Sequence, residues 1–464
     1  MSAPLIWIII PFVFAVAAFF LQNWPRLTTI LTTTFSLLLA LLAWQFPLGQ
    51  ASRLGPWTVE INTTLVILGR QLVLIDAERT FLILLYGFGG LWIFAARVAK
   101  APRHFPALGL AVIILSVAAI AVEPFLYAAP IIELAVLISL AMLIKPGKPV
   151  GRGILRYIIF QTLAMPCILF AGWAASGVEA NPSDQVLLMT AAAMLGMGFA
   201  FWLAVFPFHT WVPHLTDEAH PYVAGFMLTF LPATVFMLAL KFLDGFGWLR
   251  ELPALPQALQ ITGVVMVATG GLWALFQTSL PRLLGYAVIM DSGFSLIALS
   301  LGNEIGLQTF AAAFIPRMAT IGLWSLVLSQ ARANGLELTF SGMRGQMYRY
   351  PVLIAGLVTS VFCMAGLPLL AISPLRQAIL LGLVEQSLPA VIWTLVGMAG
   401  LLISGFRLLA DLVRAEEPGW QIKEKLPDGL LILGGIMLLV VLGIFPRIGF
   451  DSVLNLLAGF THLP

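Results

Sequence analysis

The sequence predicts an all-α integral membrane protein of about 14 transmembrane helices, folded as two inverted repeats that each contain a broken helix. Three observations predict it. Of 464 residues, 60% are hydrophobic and 10% charged, with a mean hydropathy of +1.01, a balance no water-soluble core requires. Apolar runs recur along the whole chain, many near the roughly 20 residues needed to cross about 30 Å of hydrocarbon as a helix. Two of these runs, one in each half, read as broken at prolines, one at Pro207 and the other near Pro368 and Pro374. Proline removes a backbone donor and clashes with the preceding turn, so it can kink or interrupt a helix.

The expected spans are 4–21, 27–46, 80–96, 105–122, 124–144, 154–176, 185–208, 222–243, 257–278, 282–301, 305–330, 351–388, 389–413 and 428–446. The first lacks a basic leader and a cleavage site and is expected to stay as a helix. Between the second and third, residues 49–71 alternate apolar Trp57, Val59 and Ile61 with polar Thr58, Glu60 and Asn62. That period fits a short surface hairpin. The 185–208 span is expected to break at Pro207, and the overlong 351–388 run near Pro368 and Pro374. Paired interruptions mark two repeats, about 105–243 and 257–413, within one polytopic domain, and point to the conducting region. The segment from Glu416 to Lys425 reads as a charged inner loop.

Charge distribution sets orientation. Loops beginning at Arg26, Arg97, Lys145, Arg282, Arg332 and Arg407 hold 16 of the 24 basic residues, while Arg53, Arg70, Arg79, Lys241, Arg250 and Arg447 fall on the other side. By the positive-inside rule both termini lie outside, and the bacterial plasma membrane is the expected location. The net charge of +3 is too small and scattered to suggest nucleic acid. Cys167 and Cys363 stand alone in apolar runs and read as small buried hydrophobes. Gly196 and Gly198 do not extend to a dinucleotide fingerprint, and neither a phosphate-binding loop nor a Ser/His/Asp array is present. No cofactor and no catalytic site is expected on this chain.

Five ionisable residues are candidates for an ion pathway: Glu133, His209, Asp291, Arg317 and Arg376. A charge near the centre of a membrane helix costs about 2.5–3.5 kcal/mol on insertion scales, so each needs a reason to be there. Lys241, near the end of its span, is expected to snorkel to the interface. His209, His214 and His220 share a loop with Asp217 and Glu218. Their spacing does not match a helical zinc pair, and no metal site is expected; a titrating loop at a proton entrance and an ordinary solvated loop both fit.

Four patterns in order narrow the class. Phe206-Pro207-Phe208-His209-Thr210-Trp211-Val212-Pro213 resembles the PFHxWLP signature of the antiporter-like subunits of complex I and of multisubunit cation/proton antiporters. Leu280-Pro281-Arg282-Leu283-Leu284-Gly285-Tyr286 with Gly293-Phe294 is similar to that family's DLKRLLAYSSISHMGF stretch. Phe340-Ser341-Gly342-Met343 followed by Ala365-Gly366-Leu367-Pro368 resembles its approach to a second broken helix, and Asp76 and Phe81 sit like the start of its third helix. The resemblance covers about residues 74–380. It implies a membrane-arm subunit coupling electron transfer on partner subunits to proton or cation translocation, as part of an NADH-quinone oxidoreductase-type assembly.

By that resemblance Glu133 is the fifth-helix glutamate, which in the family pairs with a buried lysine. Here the lysine positions fall at about Trp202 and near Pro232 or Ala233, and the second-half lysine falls on Arg376. Arginine keeps the charge but does not release a proton in a protein. Asp291 stands where the family has histidine, and Pro316-Arg317 where it has another ionisable residue. Asp291, Arg317 and Arg376 are expected to form a buried salt-bridged cluster. Two other readings stay open: a non-conducting scaffold that has lost the lysine relay, and the membrane half of a two-component ion-coupled transporter.

Overall fold

The computed structural model describes residues 2–463 except 55, 56, 68, 146, 148, 182, 183, 415–419 and 425. The central part of the expected Glu416–Lys425 loop therefore lies outside the described residues. Among the described residues, ten helices are long and apolar enough to cross a membrane, and four further apolar helices are shorter.

A π-helical turn, Leu5–Ile9, runs into α1 (Ile10–Phe20), followed by α2 (Pro25–Gln45). The expected surface hairpin is two hairpins: β1 (Ala51–Leu54) with β2 (Trp57–Glu60), and β3 (Thr64–Ile67) with β4 (Arg70–Val73). Gly69, in the left-handed region at φ +74°, turns the second. The sheet gains β5 (Val122–Glu123), which pairs Leu72 with Val122 and ties the loop to the end of a later helix. That pairing across 50 residues has no local signal.

The first half continues with α3 (Arg79–Ala95), α4 (Phe105–Ala121), α5 (Ala128–Leu143), α6 (Arg152–Ala180) and α7 (Gln185–Trp202), then a short α8 (Trp211–Glu218), α9 (Pro221–Gly245) and α10 (Gly247–Arg250). The second half holds α11 (Ala254–Leu275), α12 (Leu280–Ser300), α13 (Glu304–Ala312), α14 (Phe314–Ala333), α15 (Pro351–Ala365), α16 (Ser373–Gln386), α17 (Leu388–Val413), α18 (Leu426–Ile444) and α19 (Pro446–Leu454).

Burial sorts these helices into centre and periphery. The most apolar 18-residue windows of α9 and α12 are 89% buried and that of α13–α14 is 78% buried, against 22% for α7. A helix covered on nearly every side lies inside the bundle, and a helix with an uncovered apolar face looks to lipid or to a partner. Close approach between helices relies on glycine, because helices in a bilayer gain their association from packing. A Cβ on Gly271 of α11 would lie 1.8 Å from the carbonyl oxygen of Gly397 on α17, and one on Gly400 would lie 2.4 Å from that of Gly271.

Three chain interruptions occur within apolar stretches. The one expected at Pro207 begins earlier: α7 ends at Trp202, Ala204 takes φ +54°, and the chain restarts as α8 after Phe206-Pro207. The 351–388 run breaks as its prolines predict, α15 ending on Gly366 at φ +82° and α16 beginning with Pro374 in its first turn. A third divides the expected continuous 305–330 span into α13 and α14. Pro316 explains it: the ring cannot donate to the carbonyl four residues back, at Ala312, where α13 ends.

Candidate functional site

The second break sets the position of Arg376. The Gly366 amide bonds Cys363 O at 3.0 Å and the Leu367 amide bonds Phe362 O at 3.0 Å, closing α15. Gly366 is required there twice, since its φ is left-handed and an added Cβ would stand 3.2 Å from Arg376 Cγ. Arg376 then sits in the first turn of α16, turned into the bundle. Arg317 lies one residue after Pro316, just past the α13–α14 break, and Asp291 is midway along α12.

The structure brings these three together. Arg376 Nη2 donates to Asp291 Oδ1 at 2.7 Å, and Arg317 Nε donates to Asp291 Oδ2. Arg317 Nη2 also donates to Ser295 Oγ and reaches the Asp291 carbonyl at 3.5 Å. The Arg376 guanidinium lies 3.4 Å over the Phe294 ring, and that of Arg317 5.3 Å from Phe236. Arg376, Arg317 and Asp291 are 2%, 4% and 5% exposed. At that burial the ions persist only because each charge faces an opposite one, and both carboxylate oxygens of Asp291 are engaged. Two guanidiniums share one carboxylate, and Arg376 Nε is buried without a partner.

Glu133 and His209 are not part of this cluster. Glu133, half-buried on α5, accepts a 2.8 Å hydrogen bond from Thr162 Oγ1 of α6, and its second oxygen is buried without a partner. The position about where the family carries a lysine is filled by Trp202, 2% exposed, whose carbonyl accepts from Gln161. His209 is buried on the turn before α8, its ring stacked on Phe206 at 5.4 Å. Pro207, Pro368 and Pro374 flank the two breaks and carry no polar side chain into either.

The acids of the histidine loop are engaged elsewhere. Asp217 pairs with Arg282 at 2.9 Å and accepts from Ser279 Oγ at 2.8 Å, joining α8 to the start of α12. Glu218 accepts from the Gly153 and Ile154 amides at 2.8 and 3.3 Å, capping α6 from a distance. His220, at the start of α9, is held down to a pKa of about 4, first by burial and then by the nearby Arg332 and Lys145. A histidine whose folded pKa lies below its unfolded value binds its proton more readily in the unfolded chain, so stability is lost as pH falls from about 6.5 to about 4. The thermal midpoint should drop over that window, and His220→Gln should flatten the drop.

Lys241 overturns its expectation. Instead of snorkelling, its ammonium pairs with Glu78, whose side chain is 7% exposed, and donates to Ile120 O at 2.6 Å. The Ile75 amide adds a 3.2 Å bond to Glu78 Oε2. The sequence offered no sign of this pair, because Glu78 reads as an ordinary acid at a helix start. Cys363 is fully buried, with Sγ 3.3 Å from Thr320 Oγ1.

Helices that stop inside the apolar layer and restart around buried, salt-bridged charges define a polytopic membrane protein of the antiporter-like class. The chain belongs to the family described as the NADH:quinone oxidoreductase/Mrp antiporter transmembrane family, which matches residues 155–403. It is 30% identical over 289 residues to the NADH-quinone oxidoreductase subunit N of Chromohalobacter salexigens, a match covering 59% of each chain; that is about three fifths of the relative's length. Its fold matches a chain of an archaeal respiratory membrane complex, the membrane-bound sulfane sulfur reductase, with a TM-score of 0.82 at 16% identity over 98% of this chain and 97% of that one. It also matches a chain of respiratory complex I from Thermus thermophilus, with a TM-score of 0.71 at 20% identity over 96% and 98%. These relatives are subunits of multisubunit membrane complexes.

Proposed function

We propose that this chain is an antiporter-like subunit in the membrane arm of a complex I-like energy-converting assembly, coupling electron transfer on partner subunits to proton, or cation, movement across the bacterial plasma membrane, with both termini on the outer side. The observation that carries the reading is the Asp291–Arg317–Arg376 cluster at the break between α15 and α16. Buried charges of this kind mark an ion path across a bilayer, and the family membership supplies the assembly. Further along the same helix α14, polar atoms of Ser325, Ser329 and Gln330 are buried without protein partners. Such groups call for water or an ion.

Within this reading the arginines act as fixed charges that set the field of the path, and proton exchange is assigned to Glu133 and His209. The two repeats, about 105–243 and 257–413, would each supply one broken helix. The test is proton flux into vesicles holding the chain with the subunits that copurify with it. Flux is expected in the wild type, with at least a tenfold loss for Glu133→Gln. Wild-type vesicles no more permeable than empty ones would overturn it. That result would favour a scaffold that has kept the fold and lost the relay, the reading supported by Trp202 and by Pro232 and Ala233 in place of lysine.

A further inference from the structure

The charges of the central cluster do not balance. Two buried guanidiniums face one carboxylate, leaving one positive charge in excess in a region of low dielectric, where an uncompensated ion is strongly unfavourable. The groups around it do not make up the difference. Asp291, Phe294, Ser295 and Ala298 come from α12, Thr309 and Phe310 from α13, Arg317 from α14, and Ile372, Leu375 and Arg376 from the start of α16. None but Asp291 is acidic.

Three further features act in the same direction. Arg376 Nε is buried and unpartnered, so a donor of the surplus cation remains free. Ile372 and Leu375, at the start of the 14-residue α16, line the same space, and the N-terminal end of a helix carries a partial positive charge. Discontinuous membrane helices use such ends to hold anionic groups. The cavity offers about 10 Å3 to the centre of a water-sized body, about what a single water-sized guest needs. A monatomic anion matches so small a space better than a carboxylate or phosphate ester.

We propose that this cavity, bounded by Asp291, Ser295, Thr309, Arg317 and Arg376, binds one monovalent monatomic anion, chloride in a cell, which completes the charge balance of the cluster. The site goes beyond the reading of the chain as an ion-translocating subunit. It makes the anion a structural counter-charge, held where the family's second-half lysine is replaced by a permanently charged arginine.

The experiment is equilibrium binding of radioactive chloride to the purified chain with its copurifying subunits in detergent, without any gradient and at constant ionic strength with gluconate as the replacement anion. One saturable site per chain is expected, displaced by bromide. Arg376→Gln leaves the neutral Asp291–Arg317 pair and removes the surplus, so its chloride affinity should fall at least tenfold. The wild-type thermal midpoint should rise with chloride, and that of Arg376→Gln should not. Absence of saturable binding to the wild type overturns the proposal whether or not the variant folds, and so does unchanged affinity in a folded Arg376→Gln. Because no gradient is applied, vesicles that conduct no protons leave the anion site standing, and a failure to bind chloride leaves conduction untouched.

Discussion

Asp291→Asn is expected to be the most damaging single substitution in the protein. It leaves Arg317 and Arg376 buried side by side with no counter-charge from the chain, and breaking a buried ion pair from one side costs about 3–5 kcal/mol. Here one carboxylate serves two cations. The yield of folded protein and its thermal midpoint in detergent should both collapse. The structure also specifies the rescue. Asp291→Asn with Arg317→Gln still strands Arg376, so the double variant should recover little. The triple variant that adds Arg376→Gln removes every charge of the cluster and should recover most of the stability, since uncharged replacements for a buried ionic group are often neutral or better. Independent, additive losses across the three variants would show that the residues do not act as a unit.

Gly271→Ala should come next. Its methyl would stand 1.8 Å from the Gly397 carbonyl oxygen, 2.4 Å from the carbonyl carbon and 2.6 Å from Cα. All three are backbone atoms, and no rotamer change relieves them. The helices α11 and α17 must separate, and with them the contact at Gly400, so the loss should reach or exceed the upper end of the about 1–3 kcal/mol usual for overpacking. Gly434→Ala on α18 is the matched control, since nothing lies within 4 Å of its added Cβ; replacing glycine by alanine there should be neutral or slightly stabilising. Equal thermal midpoints for the two variants would contradict the close approach of α11 and α17.

Several functional features could be read directly from the residues. Pro368 and Pro374 place the second break because proline acts locally, through its own ring and its missing donor. The same rule applied to Pro316 would have found the α13–α14 interruption, but Pro166 and Pro232 lie inside the continuous α6 and α9, so proline alone does not place a break. Pro207 marks the first break less accurately, since the irregular backbone begins at Leu203 and includes the left-handed Ala204, a conformation not encoded by any one residue type. The meeting of Asp291, Arg317 and Arg376 was inferable from cost alone: three charges in one apolar region survive only by facing each other.

The pairing of Lys241 with Glu78 shows the limit of such inference. An ammonium near a helix end satisfies itself equally well at the interface or against a carboxylate, and the sequence contains no term that chooses between them. The choice follows from α3 and α9 meeting in the bundle. Similarly, Asp217 and Glu218 suggest a titrating cluster with the neighbouring histidines until the fold commits one to Arg282 and the other to the start of α6.

By itself the sequence determined the solvent, the rough placement of the apolar helices, the break near Pro368 and Pro374, and which charges demand compensation, because each follows from chemistry carried by a residue and its near neighbours. Only the tertiary structure decided which charge compensates which, how two arginines come to share one aspartate, and which helices lie so close that glycine is obligatory. Those depend on distances between segments far apart in the chain, and such distances are fixed only when the whole bundle packs.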